Sequence, residues 1–228
     1  MAEKPRVKAP KKRAPSKAEA APDRRRLLVI AGGGALLLAA VAGVFFLLGT
    51  GGSKSPEDAR AALEAAGCKL QIVDALAGSH TIVDPDGTSK KWNTDPPTSG
   101  PHYGFNPNGT LGTVIWGAYE EPVQLARVVH NLEHGGIIIF YGEGVSQSVV
   151  EQLRSFYEGH ERGTMLAPYP KLANKIALGA WVAESEPAKG YLATCTEFDE
   201  DAFSTFFAAF QFKGPEPVPE SQLLPGGN

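Results

Sequence analysis

The stretch VVHNLEHGGIIIFYG, residues 128–142, decides how this chain is read. Two histidines, His130 and His134, stand four apart with Glu133 between them, and a double glycine and a run of large apolar residues follow. Upstream, Leu125, Val128, Val129 and Leu132 recur at helical spacing, with Pro122 near the start and Gly135 at the end. The pattern predicts a helix over 121–134 and a buried strand over 137–141. On that helix His130, Glu133 and His134 share one face, because residues three and four apart are neighbours. On a strand, residues four apart would be separated by about 13 Å and could not share an ion. A common metal ion therefore requires a helix or tight turn here.

Further out, SQSVVEQLRSFYEGH predicts a second amphipathic helix, TMLAPYP and KIALGAWVA two strands, and DEDAFSTFFAAFQF a last helix. Before the histidine segment, Ser55-Pro56-Glu57-Asp58 opens a helix that stops at Gly67, with Ser55 as N-cap and acids near the positive helix end. LQIVDAL and SHTIVD read as short strands, and DPDG, residues 84–87, as a turn. Residues 93–119 form a long irregular stretch whose prolines and glycines exclude a helix or central strand. Its aromatics argue for a packed loop, and Asn108-Gly109-Thr110 fits a glycosylation sequon. The order of elements argues for an α+β domain with a mainly antiparallel sheet.

Charge is split unevenly. Residues 1–26 hold ten Lys or Arg against three acids, a net of +7; the whole chain carries −3, which leaves −10 for residues 27–228. Between tail and body, residues 27–48 contain no charge. At 1.5 Å per residue they reach roughly 33 Å, about the thickness of a bilayer's hydrocarbon core. A cleaved signal peptide would have a shorter apolar region, roughly 7–15 residues. Arg24, Arg25 and Arg26 abut the stretch on one side and Lys54 lies beyond the other, so the positive-inside rule places the N-terminus in the cytoplasm. The expected organisation is a disordered basic cytoplasmic tail over 1–26, a single transmembrane helix over 27–48, a linker over 49–56, an extracytoplasmic domain over 57–212 and a loose Pro-rich tail over 213–228. The tail's charge reads as a topogenic block rather than a nucleic-acid surface. Outside the cytoplasm the two cysteines, Cys68 and Cys195, suggest a disulfide. The absence of a CxxC pattern argues against a dithiol redox site or zinc ribbon.

Metal chemistry centres on His102, His130 and His134, with His80 as a further candidate and Glu133 as a third donor or a catalytic base. Two imidazoles on one helix face can share an ion, and His102 in PPTSGPHY can return from an irregular loop to complete the site. Zinc or copper is the expected ion, and no organic cofactor is indicated. His130-Asn131-Leu132-Glu133-His134 also fits the H-x-x-E-H pattern of inverted zinc peptidases, with Glu184 or Glu197 as the distant ligand. Ser99 beside these histidines raises a hydrolase nucleophile, but the G-x-S-x-G context is missing. The competing reading is a non-enzymatic envelope module whose histidines tie loop to helix by hydrogen bonds. His160, in EGHERG, reads as a cation at a helix C-terminus.

PPTSGPHYGF, WGAY and VVHNLEHGGIIIFY, behind an N-terminal apolar span, resemble a bacterial family of single-span, membrane-anchored domains with no established function. The likeness covers most of residues 66–185, with Cys68, Gly78-Ser79-His80, Pro168-Tyr169-Pro170 and Ala180-Trp181 standing where similar elements occur. It implies a bacterial cell-membrane location and importance for His102, His130, Glu133 and His134. It supplies no reaction.

Overall fold

The computed structural model describes residues 53–80, 92–105 and 112–227. The apolar stretch 27–48, the basic tail, the turn at 84–87, most of SHTIVD and the sequon lie outside the described residues. Among the described residues no helix is long and apolar enough to cross a membrane.

Ser55 opens α1 (Pro56–Ala65) with a reciprocal capping box: its side chain accepts from the Asp58 N–H while the Asp58 carboxylate accepts from the Ser55 N–H. The chain continues through β1 (Lys69–Asp74), a long irregular excursion, the two-residue β2 (Gly117–Ala118) and α2 (Leu125–Glu133). Then come β3 (Ile137–Tyr141), α3 (Gln147–Glu158), β4 (Thr164–Pro168), β5 (Ile176–Val182), β6 (Lys189–Cys195) and α4 (Glu200–Phe210). The histidine helix starts later than the sequence pattern suggests, at Leu125 rather than 121.

The six strands among the described residues form one sheet in the order β1-β6-β5-β3-β4-β2. The β1/β6, β6/β5 and β5/β3 pairs are antiparallel. The β3/β4 and β4/β2 pairs are parallel, so the sheet is mixed rather than uniformly antiparallel. The reason is α3: a helix between β3 and β4 returns the chain to its starting end, so the next strand runs in the same direction. β6 was not anticipated from the sequence. It lies between β1 and β5 and carries Cys195, whose Sγ sits at disulfide distance from Cys68.

The sheet is covered on both faces, which explains why IIIFY is apolar without alternation. Ile137 and Ile139 point into a core with Leu63, Leu153, Phe156, Phe203 and Phe206 from α1, α3 and α4. Ile138 and Phe140 point to the opposite face, against Val128, Val129 and Leu132 of α2 together with Trp116 and Trp181. The second face carries α2 with His130, and the His102 ring lies against Trp181 on that side. The C-terminal stretch expected to be a loose tail is bonded to that same half of the domain. The Glu216 N–H donates to Glu133 O, the Trp116 indole N–H to Gln222 O and the Gly163 N–H to Leu223 O.

Candidate metal centre

The turn after α2 sets the local geometry. The Gly136 N–H donates to Asn131 O and the Gly135 N–H to Leu132 O, the two bonds of a Schellman cap. Gly135 takes φ +84, a left-handed conformation that favours glycine. A Cβ there would also lie 2.9 Å from Phe212 Cα. α2 therefore ends at once, and its last turn presents His130 and Glu133 toward the irregular loop.

Asn131 holds that loop. Its side-chain oxygen accepts from the Val114 N–H at 2.7 Å and its amide donates to Val114 O at 2.8 Å. Asn131 is fully buried, so Asn131→Ala strands a donor and an acceptor away from water. At about 1–3 kcal/mol for each unsatisfied buried group, the expected loss is about 2–4 kcal/mol of unfolding free energy. Urea denaturation checks this, and a loss under about 1 kcal/mol would contradict the clamp.

His102 reaches the helix from the loop. Its backbone N–H donates to Ser79 O at 2.9 Å, and Ser79 and Pro101 form a β-bridge. That bridge sets His80 beside His102, their ring centroids 4.8 Å apart. The Tyr103 N–H donates to Ala126 O at 3.2 Å and ties the loop to α2. Gly104 leaves the room that the His80 Cβ and ring occupy.

The outcome is a compact donor group. One ligand atom from each of His80, His102, His130 and Glu133 lies within 4.8 Å of all the others. Tetrahedral bonds of 2.0–2.1 Å would separate donors by about 3.4 Å, so the group needs only a modest contraction to hold one ion. His102 is fully buried, His130 and Glu133 nearly so, and the His80 side chain is 42% exposed.

Proton placement at His102 is fixed by its partner. Its Nδ1 lies 2.8 Å from Gly100 O, a carbonyl that can only accept, so Nδ1 carries the hydrogen. Neutral His102 then offers a lone pair at Nε2. That atom is buried and sits 2.8 Å from Glu133 Oε2, yet the pair does not meet hydrogen-bond geometry. Two acceptors so close together need a cation between them, either a proton or a metal. His80 Nε2 approaches the same carboxylate oxygen at 3.3 Å. When a proton occupies that position, burial pushes the Glu133 carboxyl up, but the protonated His102 and then His80 more than offset it and hold it below its usual value. Burial, followed by the neighbouring His134 and His102, lowers His130 to about 3. Both groups are thus in the forms that bind metals, a carboxylate and a neutral imidazole.

His134 is placed differently. Its Nδ1 donates to Glu216 O at 2.8 Å, and its ring lies 4.7 Å from that of His130. Its Nε2 is buried without a partner, but His134 does not belong to the four-residue donor group. The structure thus brings together His80, His102, His130 and Glu133, and sets His134 behind His130. Glu184 pairs with Lys213 at 2.8 Å and Glu197 is exposed; neither joins the group. Ser99 is buried, with its Oγ accepting from the Leu76 N–H at 3.0 Å. The His160 Nδ1 bonds Phe156 O at 2.8 Å and the ring stacks on Phe156.

One participant was missed by residue-level reasoning. A Cβ on Gly78 would collide with Glu133 Oε1 and lie 3.1 Å from Trp181 Cη2, so the absent side chain makes room for the carboxylate. The GSH element carried the only sequence signal for it. Gly78→Ala is expected to turn Glu133 away and weaken zinc binding by about tenfold or more, within the range for losing a group that orients a ligand. Titration against a competing chelator measures it, and unchanged affinity would exclude a role for that carboxylate.

Fold and site together define an α+β domain with a mixed six-stranded sheet and a His/Glu cluster capable of holding a metal ion. The chain belongs to a family described as a protein of unknown function, DUF3105, whose profile matches residues 85–222. That span contains three of the four donors, with His80 just before it. No curated protein and no solved structure matches the chain significantly.

Proposed function

We propose that this protein is a membrane-tethered, extracytoplasmic metal-binding domain that holds one divalent transition ion through His80, His102, His130 and Glu133. The observation that carries the reading is the buried His102 Nε2, a lone pair 2.8 Å from a carboxylate oxygen without hydrogen-bond geometry between them. The partner carbonyl on Nδ1 is the arrangement that orients metal-binding histidines. Three imidazoles and one carboxylate suit zinc or copper and argue against calcium or magnesium, which take oxygen ligands. The tether and its orientation rest on the uncharged stretch 27–48 and the arginines before it.

A second reading, histidines that only bind loop to helix, draws support from the same pair if His102 carries two protons and forms a buried ion pair with Glu133. The peptidase reading has less support, because Glu133 stands among the donors and His134 outside them. Metal analysis of the purified full-length protein after incubation with zinc separates the first two. One tightly held ion per chain is expected, and sub-stoichiometric metal would favour the structural reading. His134→Ala provides an internal comparison. Since His134 touches His130 by ring contact alone, its loss is expected to weaken zinc binding without abolishing it. Complete loss of binding would place His134 among the ligands.

A further inference from the structure

The four donors are unequal, and the inequality points to what the site does with its ion. His102, His130 and Glu133 are buried, and two of them project from one helix whose end is locked by the glycine cap. His102 is held through its Nδ1 bond to Gly100 O. His80 is the exception. Its side chain is 42% exposed, and its Nε2 stands at 3.3 Å from Glu133 Oε2 against 2.8 Å for His102. Among the described residues no backbone carbonyl bonds its ring to fix an orientation, as Gly100 does for His102 and Glu216 for His134. Structural zinc sites are closed by four fixed ligands, whereas reactive sites keep three fixed ligands and one replaceable position.

Resting on the metal reading above, we propose that His80 is an exchangeable ligand and that the solvent-facing coordination position accepts a small exogenous Lewis base, such as imidazole or a small anion, in its place. The ion would then be held by His102, His130 and Glu133 and exposed to chemistry or transfer on the His80 side. Exchange breaks one metal–nitrogen bond and forms one metal–ligand bond, with no change of oxidation state. An exposed imidazole can leave without stranding a buried polar group, whereas His102, His130 and Glu133 cannot.

The test uses the full-length protein loaded with Co(II), whose visible absorption reports its ligands. Wild type, His80→Ala, His80→Gln and His102→Ala are compared, each titrated with imidazole. The expected result is one cobalt per chain in wild type and in both His80 variants, with affinity in those variants weakened about ten- to a hundredfold. Imidazole should shift the variant spectra toward that of wild type, while His102→Ala retains no cobalt at the same concentrations. Loss of cobalt from both His80 variants, or spectra indifferent to imidazole, would overturn this inference and leave the metal site standing as a closed one. A wild type that takes up no cobalt would instead overturn the metal reading itself.

Discussion

Replacing His102 with alanine is expected to abolish zinc binding. The change removes a fully buried imidazole whose Nε2 is the donor nearest Glu133. Its effect should exceed the roughly 10–100-fold typical of losing a group that merely orients a ligand. The consequence for stability follows from mass action: an ion at a thousand times its dissociation constant stabilises the native state by about 4 kcal/mol. That zinc-dependent increment should vanish in the variant. Metal-free His102→Ala should also be weaker than metal-free wild type, because Glu133 is left buried without its closest partner. The decisive quantity is therefore the difference between zinc-loaded and metal-free unfolding free energies for each protein. A variant that keeps the wild-type increment would place the ion elsewhere.

Loss of the Cys68–Cys195 link is expected to produce the other large effect, and one independent of metal. The two residues are 127 apart in sequence. Closing so long a loop restricts the unfolded chain by roughly 5 kcal/mol in the chain-entropy model. That is a large share of the roughly 5–15 kcal/mol by which domains are stable. Cys68 joins the end of α1 to β1, and Cys195 ends β6, the strand that β1 pairs with. The link thus secures the edge strand and the α1 helix that packs on α4. Cys68→Ser combined with Cys195→Ser should lower unfolding free energy by about 4–5 kcal/mol. Reductant should do the same to wild type and nothing to the double variant. A change below about 1 kcal/mol would show that the link contributes little, and a chelator should not alter the difference.

Much of this architecture was legible before coordinates. Helix α2, strand β3, the capped start of α1 and helices α3 and α4 follow from apolar spacing and caps, which are local signals. β6 escaped because KGYLATC follows a Glu-Ser-Glu-Pro turn and shows no strong period, and its place in the sheet depends on pairing with β1 more than a hundred residues earlier. The parallel pairing of β4 likewise depends on how α3 crosses the sheet, which no local pattern encodes.

At the site, helical spacing could gather residues 130, 133 and 134 on one face but could not choose between Glu133 and His134. The structure sets Glu133 among the donors and His134 outside them, with the His134 Nδ1 hydrogen on the Glu216 carbonyl. Backbone groups from a distant Pro-rich segment leave no trace in side-chain identity. The approach of His80 depends on the Ser79–Pro101 bridge between two irregular segments, so spacing alone could make it no more than a candidate. His102 was a candidate on the ground that an irregular loop can carry a side chain back to a helix, with a hydrogen-bonding role equally open from sequence.

The most direct test is X-ray absorption spectroscopy of the zinc-loaded full-length protein at the zinc edge. The account expects nitrogen and oxygen donors at 2.0–2.1 Å with outer-shell scattering from three imidazoles and no sulfur. A spectrum with one imidazole or none, or with sulfur in the first coordination sphere, would contradict it.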